Sequence, residues 1–209
     1  MQKEINYGPI SGGGMVLFCL GLIAILVSFF ISELPVPAVL LIVVLVISLK
    51  GFIIIEPNEN AVLLFFGTYK GTVKKNGFFW VKALFSKQIL SMRARNLNGQ
   101  SIKVNDKLGN PIEIAAVIVW QIEDTAKAIF EVDDYFQFIS VQSEAAVRHL
   151  ANSCPYDNIE DNEADITLRG SADKVNDLLE KELTDRLERA GIKIIEARIS
   201  HLAYAPEIA

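Results

Sequence analysis

The chain has 209 residues, of which 51% are hydrophobic, with two cysteines, two histidines and a net charge of −5. Cys19 and Cys154 are too few for a disulfide framework, and neither His149 nor His201 has a second His or Cys within a helical turn, so cysteine staples and a zinc site are both excluded. The charge is uneven: Lys50 to Arg95 carries eight Lys or Arg against Glu56 and Glu59, while Asn96 to Ala209 carries eleven against twenty-one acids, and that acidic distal part argues against a nucleic-acid partner.

Residues 1–14 contain Gly8, Pro9 and the run Ser11 to Gly14, and read as a short flexible tail. Residues 15–50 read as a membrane anchor of two apolar helices. The first run, Met15 to Ile31, has Ser28 as its one polar side chain and is about long enough for a hydrocarbon core of ~30 Å. It ends in Phe29-Phe30-Ile31-Ser32-Glu33, which is no signal-peptide cleavage site. The second run, Val36 to Leu49, reaches spanning length if Gly51 to Ile55 contribute. Pro35 and Pro37 break the first helix and suit the start of the next, which predicts a helical hairpin with both ends on one side. The turn has no Lys or Arg, whereas Lys3 precedes it and Lys50, Lys70, Lys74 and Lys75 follow, so the expected side is the cytoplasm. A re-entrant wedge, or one spanning helix with the domain outside, is the alternative.

From Gly51 the pattern becomes β, with apolar runs interrupted by Pro57 to Asn60, Gly67, Gly71 and Asn76-Gly77. Residues 51–96 are expected to form a membrane-proximal β subdomain. Within it, Phe78, Phe79, Trp80 and Phe85 stand close to Lys82 and Lys87, the combination of a membrane-surface wedge facing anionic headgroups. The same aromatics could instead form the core of that subdomain. Residues 97–209 read as a distal α+β subdomain. Its hairpin runs Ser101 to Ile122 around Asp106 to Asn110, and the even positions from Ile112 to Ile122 line one face of a central strand. Asp124 and Asp133 are expected to cap two helices and Ser171 a third, which stops at Gly191. The closing strand, Ile192 to Leu202, changes phase between Ile194 and Ile195, which predicts a bulge.

Catalytic and cofactor signatures are missing. The acidic loop Asp157 to Asp165 has Asn162 and Leu168 where a calcium loop needs Gly and Glu. Ser143, His149 and Cys154 are close in sequence but lack a nucleophile elbow, and Ser11 to Gly14 lacks the Lys of a phosphate loop. A non-enzymatic protein without cofactor or metal is expected.

The run Glu56 to Val62, Phe66-Gly67, Asn76 to Trp80, Met92 to Arg95, Val119 to Asp124, Glu144 to Arg148, Ala190 to Ile192, Ile199 to Leu202 and Ala205 to Ile208 together resemble the SPFH or band 7 domain shared by stomatins, prohibitins, flotillins and bacterial relatives. The likeness covers nearly all of Gly51 to Ala209. Asn76 stands where the family commonly has Pro. The resemblance implies an α+β SPFH domain behind a hydrophobic anchor, here unusually long and in two parts, in an integral protein of a bacterial cell membrane. It implies a homo-oligomeric ring or cage that organises a membrane microdomain, or a regulatory partner of an ATP-dependent membrane protease. Such proteins usually continue from a Pro-Glu like Pro206-Glu207 into a long assembly helix, so residues that carry assembly are expected beyond Ala209.

Overall fold

A computed structural model of the chain describes residues 4–32, 35–157 and 166–206. They form two compact units that divide between Met92 and Arg93.

The first unit holds β1 (Ile10–Ser11), α1 (Gly12–Ile31), α2 (Pro35–Leu49), β2 (Phe52–Ile55), β3 (Glu59–Phe65), β4 (Thr68–Val73), β5 (Gly77–Trp80) and β6 (Phe85–Ser91). Its strands make two antiparallel sheets, ordered β1-β5-β2 and β4-β3-β6. Alternation along each strand supplies one shared core of Ile53, Ile55, Ala61, Leu63, Val73, Val81 and Phe85. The chain passes from β2 to β3 through a tight turn in which the Glu59 N–H donates to the Glu56 carbonyl (3.2 Å), with Asn58 at φ 61. Proline second and a left-handed Asn third suit a type II turn.

Residues 4–11 differ from the expected flexible tail, because they are strapped along the sheets. The Thr72 N–H donates to the Ile5 carbonyl (2.7 Å) and the Tyr7 N–H to the Thr72 carbonyl (2.9 Å). The Tyr7 ring meets Phe85 edge-on at 5.7 Å, and Glu4 pairs with Lys74. A backbone edge and an aromatic slot hold this segment, and both outweigh its Gly-Pro composition. Gly12 to Gly14, also expected in the tail, are the first turn of α1.

The second unit holds β7 (Arg95–Asn98), β8 (Ile102–Asn105), β9 (Pro111–Ile122), α3 (Thr125–Phe130), α4 (Tyr135–Ser153), α5 (Ala172–Leu187) and β10 (Ile192–Tyr204), with a 3-10 turn, Glu188–Ala190, after α5. The central strand is β9: β10 runs along one edge, and β8 and β7 lie end to end along the other. Ile112, Ile114, Ile118, Trp120 and Ile122 are all buried, as the alternation requires. The expected bulge falls between Ile194 and Glu196, and a second follows between Ile199 and His201. Gly191 closes the 3-10 turn in the left-handed region, at φ 67. Asp124 caps α3, but α4 is capped by Asp134 rather than Asp133, since Asp134 accepts from the N–H groups of Phe136 and Gln137. Ser171 stands at the α5 N-cap without capping through its side chain. Residues 158–165 of the acidic loop lie outside the described residues.

Asp106 locks the β8–β9 turn. It is buried and accepts from the Leu108 and Asn110 N–H groups (2.9 and 2.8 Å), the Asn110 side chain (3.1 Å) and the Tyr156 N–H (3.0 Å), the last joining the turn to the chain after α4. Burial pushes its carboxyl pKa up, but these four donors outweigh it and hold the value below the ordinary one. The stability it contributes is therefore complete above the unfolded-state pKa, about 4, and is lost as pH falls through the lowered folded value. Asp106→Ala, which strands several buried donors, should destabilise the second unit by about 2–4 kcal/mol at neutral pH. Denaturant titration read from Trp120 fluorescence in a Trp80→Phe background checks this, and the wild-type advantage should shrink under acid.

Candidate functional site: the foot of the apolar helices

α1 has 20 residues and a mean hydropathy of 2.8, long and apolar enough to cross a membrane by length and composition. α2 has 15 residues, about 22 Å of helix. The sequence expectation lent it Gly51 to Ile55, but Phe52–Ile55 pair with β5 as a strand, so α2 stops short of spanning length. α1 and α2 pack on each other, and their buried residues are small: Gly12 and Cys19 on α1, Ala38 and Ser48 on α2. Their side chains are otherwise largely exposed, including Leu17, Phe18, Leu40 and Val44. Glu33 and Leu34 of the expected turn, and Lys3 of the charge pattern, lie outside the described residues.

Both helices are fastened to β5. β1 delivers the chain into α1, and β2 carries it away from α2, and these two strands flank β5 on either side. Gly12 and Gly51 make the close approach possible. A Cβ on Gly12 would overlap the Phe78 ring, and one on Gly51 would overlap the Trp80 indole and the Val81 carbonyl. The Val81 N–H donates to the Gly51 carbonyl (2.9 Å). The Trp80 Nε1–H donates to the Ser48 carbonyl (2.8 Å), which also accepts from the Gly51 N–H (3.1 Å) where the last turn of α2 closes. Lys87 Nζ donates to the carbonyls of Lys50 (2.6 Å) and Phe52 (2.8 Å), placing a cation at the negative end of the helix dipole. Burial lowers the Lys87 pKa from the ordinary lysine value.

Strand alternation sorts the six residues expected to touch lipid. Phe78 and Trp80 share the outer face of the β1-β5-β2 sheet with Ile54 and Phe52, their register partners. Phe52 and Phe78 stack at 5.3 Å, and Ile54 and Phe78 are 67% and 44% exposed. The outer face is thus apolar and continuous with the foot of the helices. Phe79 points the other way, against the core, and Phe85 is buried within it. Lys82 is exposed on the turn that Phe85 closes by donating to its carbonyl (2.9 Å), and Lys87 is drawn in to the helix end. Sequence reasoning missed Ile54 and Phe52, which alternation with Phe78 and Trp80 would have revealed.

The profile of the SPFH domain / Band 7 family matches residues 53–209. The chain belongs to the SPFH / band 7 family. It is 22% identical over 171 residues to a stomatin homolog of Pyrococcus horikoshii, covering 81% of this chain and 60% of that protein. A stomatin homolog of Pyrococcus abyssi is 22% identical over 173 residues, 82% of this chain and 59% of the relative. An uncharacterized protein of Methanothermobacter thermautotrophicus is 23% identical over 164 residues, 78% of this chain and 49% of the relative. The chain spans between about half and two thirds of the length of these curated relatives. SPFH proteins are generally non-enzymatic membrane scaffolds, and the apolar α1 of this member agrees with membrane association.

His149 and Ser143, the nearest approach to a catalytic pair in the sequence, take separate places. His149 is exposed, with its ring nitrogen 3.4 Å from Glu182, whereas Ser143 is buried among the apolar residues of α4. No group of three or more His, Cys, Asp or Glu among the described residues could hold a metal ion.

Gly51→Ala should cost the first unit about 1–3 kcal/mol, because the Trp80 ring and the Val81 carbonyl cannot both yield. Trp80→Phe, which keeps the ring and loses the N–H donor, should cost about 1 kcal/mol. Comparing denaturation midpoints of the full chain in detergent, with hydrogen exchange at Val81 as the local readout, checks the order.

Proposed function

We propose that this SPFH protein is a membrane-anchored scaffold which assembles with copies of itself into a large ring or cage and so organises a patch of bilayer. The observation that carries the reading is the foot of the helices. An apolar helix pair is clamped to a sheet whose outer face is itself apolar, so the first unit meets lipid both through and beside its anchor. Both ends of the pair are held by one strand, which supports a hairpin with its two ends on one side. Lys50, Lys70 and Lys82, all exposed, give this unit charge to meet anionic headgroups, at about 1 kcal/mol for each well-placed cation. The positive charge supports a cytoplasmic position for both units.

A single anchored copy organises no patch of bilayer, whereas many copies in one assembly engage lipid as a unit, since each further contact is intramolecular. Scaffolding therefore needs self-association. The second unit offers surface for it through the outer faces of α4 and α5, whose other faces are buried, and through the edges of its sheet.

The test is the mass and shape of the complex extracted gently from native membranes, with co-purifying proteins identified. A homogeneous closed particle many times the monomer mass is expected. A monomer or small oligomer from the natural gene would overturn the scaffold reading. Stoichiometric recovery of an ATP-dependent membrane protease would recast the assembly as that protease's regulatory partner.

A further inference from the structure

The turn between β3 and β4 is built from Phe66 at φ 45 and Gly67 at φ 80. Two successive left-handed residues make the tight turn that joins twisted antiparallel strands, and Asn or Gly normally occupies both places. A bulky aromatic there is a backbone outlier, and the core gains nothing from it: Phe66 is 81% exposed. Its ring meets Phe65 edge-on, at 4.8 Å. A strained position that presents apolar surface to the outside points to a function for that side chain.

A second apolar tip stands beside it. Phe65 pairs with Phe85, so Phe66 and Leu84 are the next residues out from the same end of the β3–β6 ladder. Leu84 is 64% exposed, on the turn that carries Lys82. The register also places the pair relative to the anchor. Lys87, which binds the carbonyls at the foot of α2, is opposite Leu63, three residues before Phe66. Three strand residues are ~10 Å. The two tips are therefore within one short step of the point where α2 ends.

We propose that Phe66 and Leu84 are a lipid-inserting pair, two turn tips that enter the acyl boundary beside the helix foot. Their occupant is the bilayer itself, because the pair is next to the most apolar segment of the chain and is flanked by exposed Lys70 and Lys82. That is the arrangement of an interfacial anchor, with apolar tips below and ammonium groups at the headgroups. Phe66 gives the first unit a contact ~10 Å along the β3–β6 ladder from the foot of α2. Two separated contacts fix the tilt of a domain on a surface, which one helix pair cannot do alone. This proposal rests on the anchor reading above.

The test reconstitutes the full chain, with Cys19 and Cys154 replaced by Ala, in vesicles of phosphatidylcholine and phosphatidylserine. A polarity-sensitive fluorophore is attached in turn at Phe66→Cys, Leu84→Cys and Lys75→Cys. Lys75 is an exposed residue beyond the opposite end of β4. Brominated acyl chains should quench the probes at 66 and 84 several-fold more than the probe at 75, with a blue shift of their emission. Equal quenching at all three positions, with the chain still floating with the vesicles, would overturn the tip insertion and leave the anchor standing. Loss of flotation would sink the anchor reading and this one with it. Probes at 66 and 84 shielded from both bromolipid and aqueous iodide would assign the tips to a contact between copies and overturn lipid as the occupant. Phe66→Asn, which suits the left-handed turn, should keep or raise the melting temperature, and with the probe at Leu84→Cys should reduce its quenching at least twofold. Unchanged quenching at 84 would show that the tips do not act as a pair.

Discussion

The contact between the indole of Trp80 and the end of α2 sets the order of everything around it. The last carbonyls of an apolar helix need donors, and at a membrane boundary water alone supplies them poorly. Here the Lys50 and Gly51 N–H groups close the last turn onto Ile47 and Ser48, and Trp80 adds a second donor to Ser48. Lys87 reaches the Lys50 carbonyl just past the helix from the other sheet, and Gly51 lets the indole come close enough. The helix end is thereby made part of the β unit rather than a tether to it. The same strand that carries Trp80 is paired with the segment that leads into α1, so the anchor and the unit share one hydrogen-bond network.

That coupling gives the unit an orientation as well as an attachment. In the assembly proposed above every copy would have to present the same face, and a flexible linker after the anchor would let each copy turn. The strap of residues 4–11 serves the same end. It ties the entrance of α1 to β4 through Ile5 and Tyr7, so the chain is fixed both before the first helix and after the second. The second unit is organised by a different device, a long central strand flanked on both edges, with Asp106 holding its turn against the chain after α4.

Much of this was legible in the sequence. The even positions from Ile112 to Ile122, the phase change after Ile194, the stop at Gly191 and the cap at Asp124 each follow from a local rule, and the structure keeps them. The SPFH resemblance was legible too, because the order of many weak motifs survives where their individual identities do not. What was hidden depended on tertiary pairing. Residues 4–14 read as a loose tail because nothing local shows that the β4 edge awaits Ile5 and Tyr7, that β5 awaits Ile10–Ser11, or that Gly12 opens α1. Phe52–Ile55 read equally well as the end of an apolar helix or as a strand, and only pairing with β5 decides it. Phe78, Phe79, Trp80 and Phe85 read as one aromatic cluster, yet the register divides them between the outer face and the core. Gly67 read as a strand break and Phe66-Gly67 as one of the SPFH motifs, but the strain at Phe66 was hidden, since no rule of composition expects a phenylalanine in a left-handed turn. The choice between Asp133 and Asp134 as a cap is a matter of one residue, which periodicity does not resolve.

One strand, β5, is paired with the segments at both ends of the helix pair, and from this we expect the chain before α1 and the unit after α2 to share one side of the bilayer. Sealed, oriented vesicles carrying the full chain test it directly, with Cys19 and Cys154 replaced by Ala and a single cysteine placed at Gly8, where side-chain space is open, or at exposed Lys75. An impermeant thiol reagent added outside should label both positions or neither, and the pattern should reverse together when the vesicles are inverted. Labelling of one position from outside and the other only from inside would show that the chain crosses the membrane once, and would contradict the account.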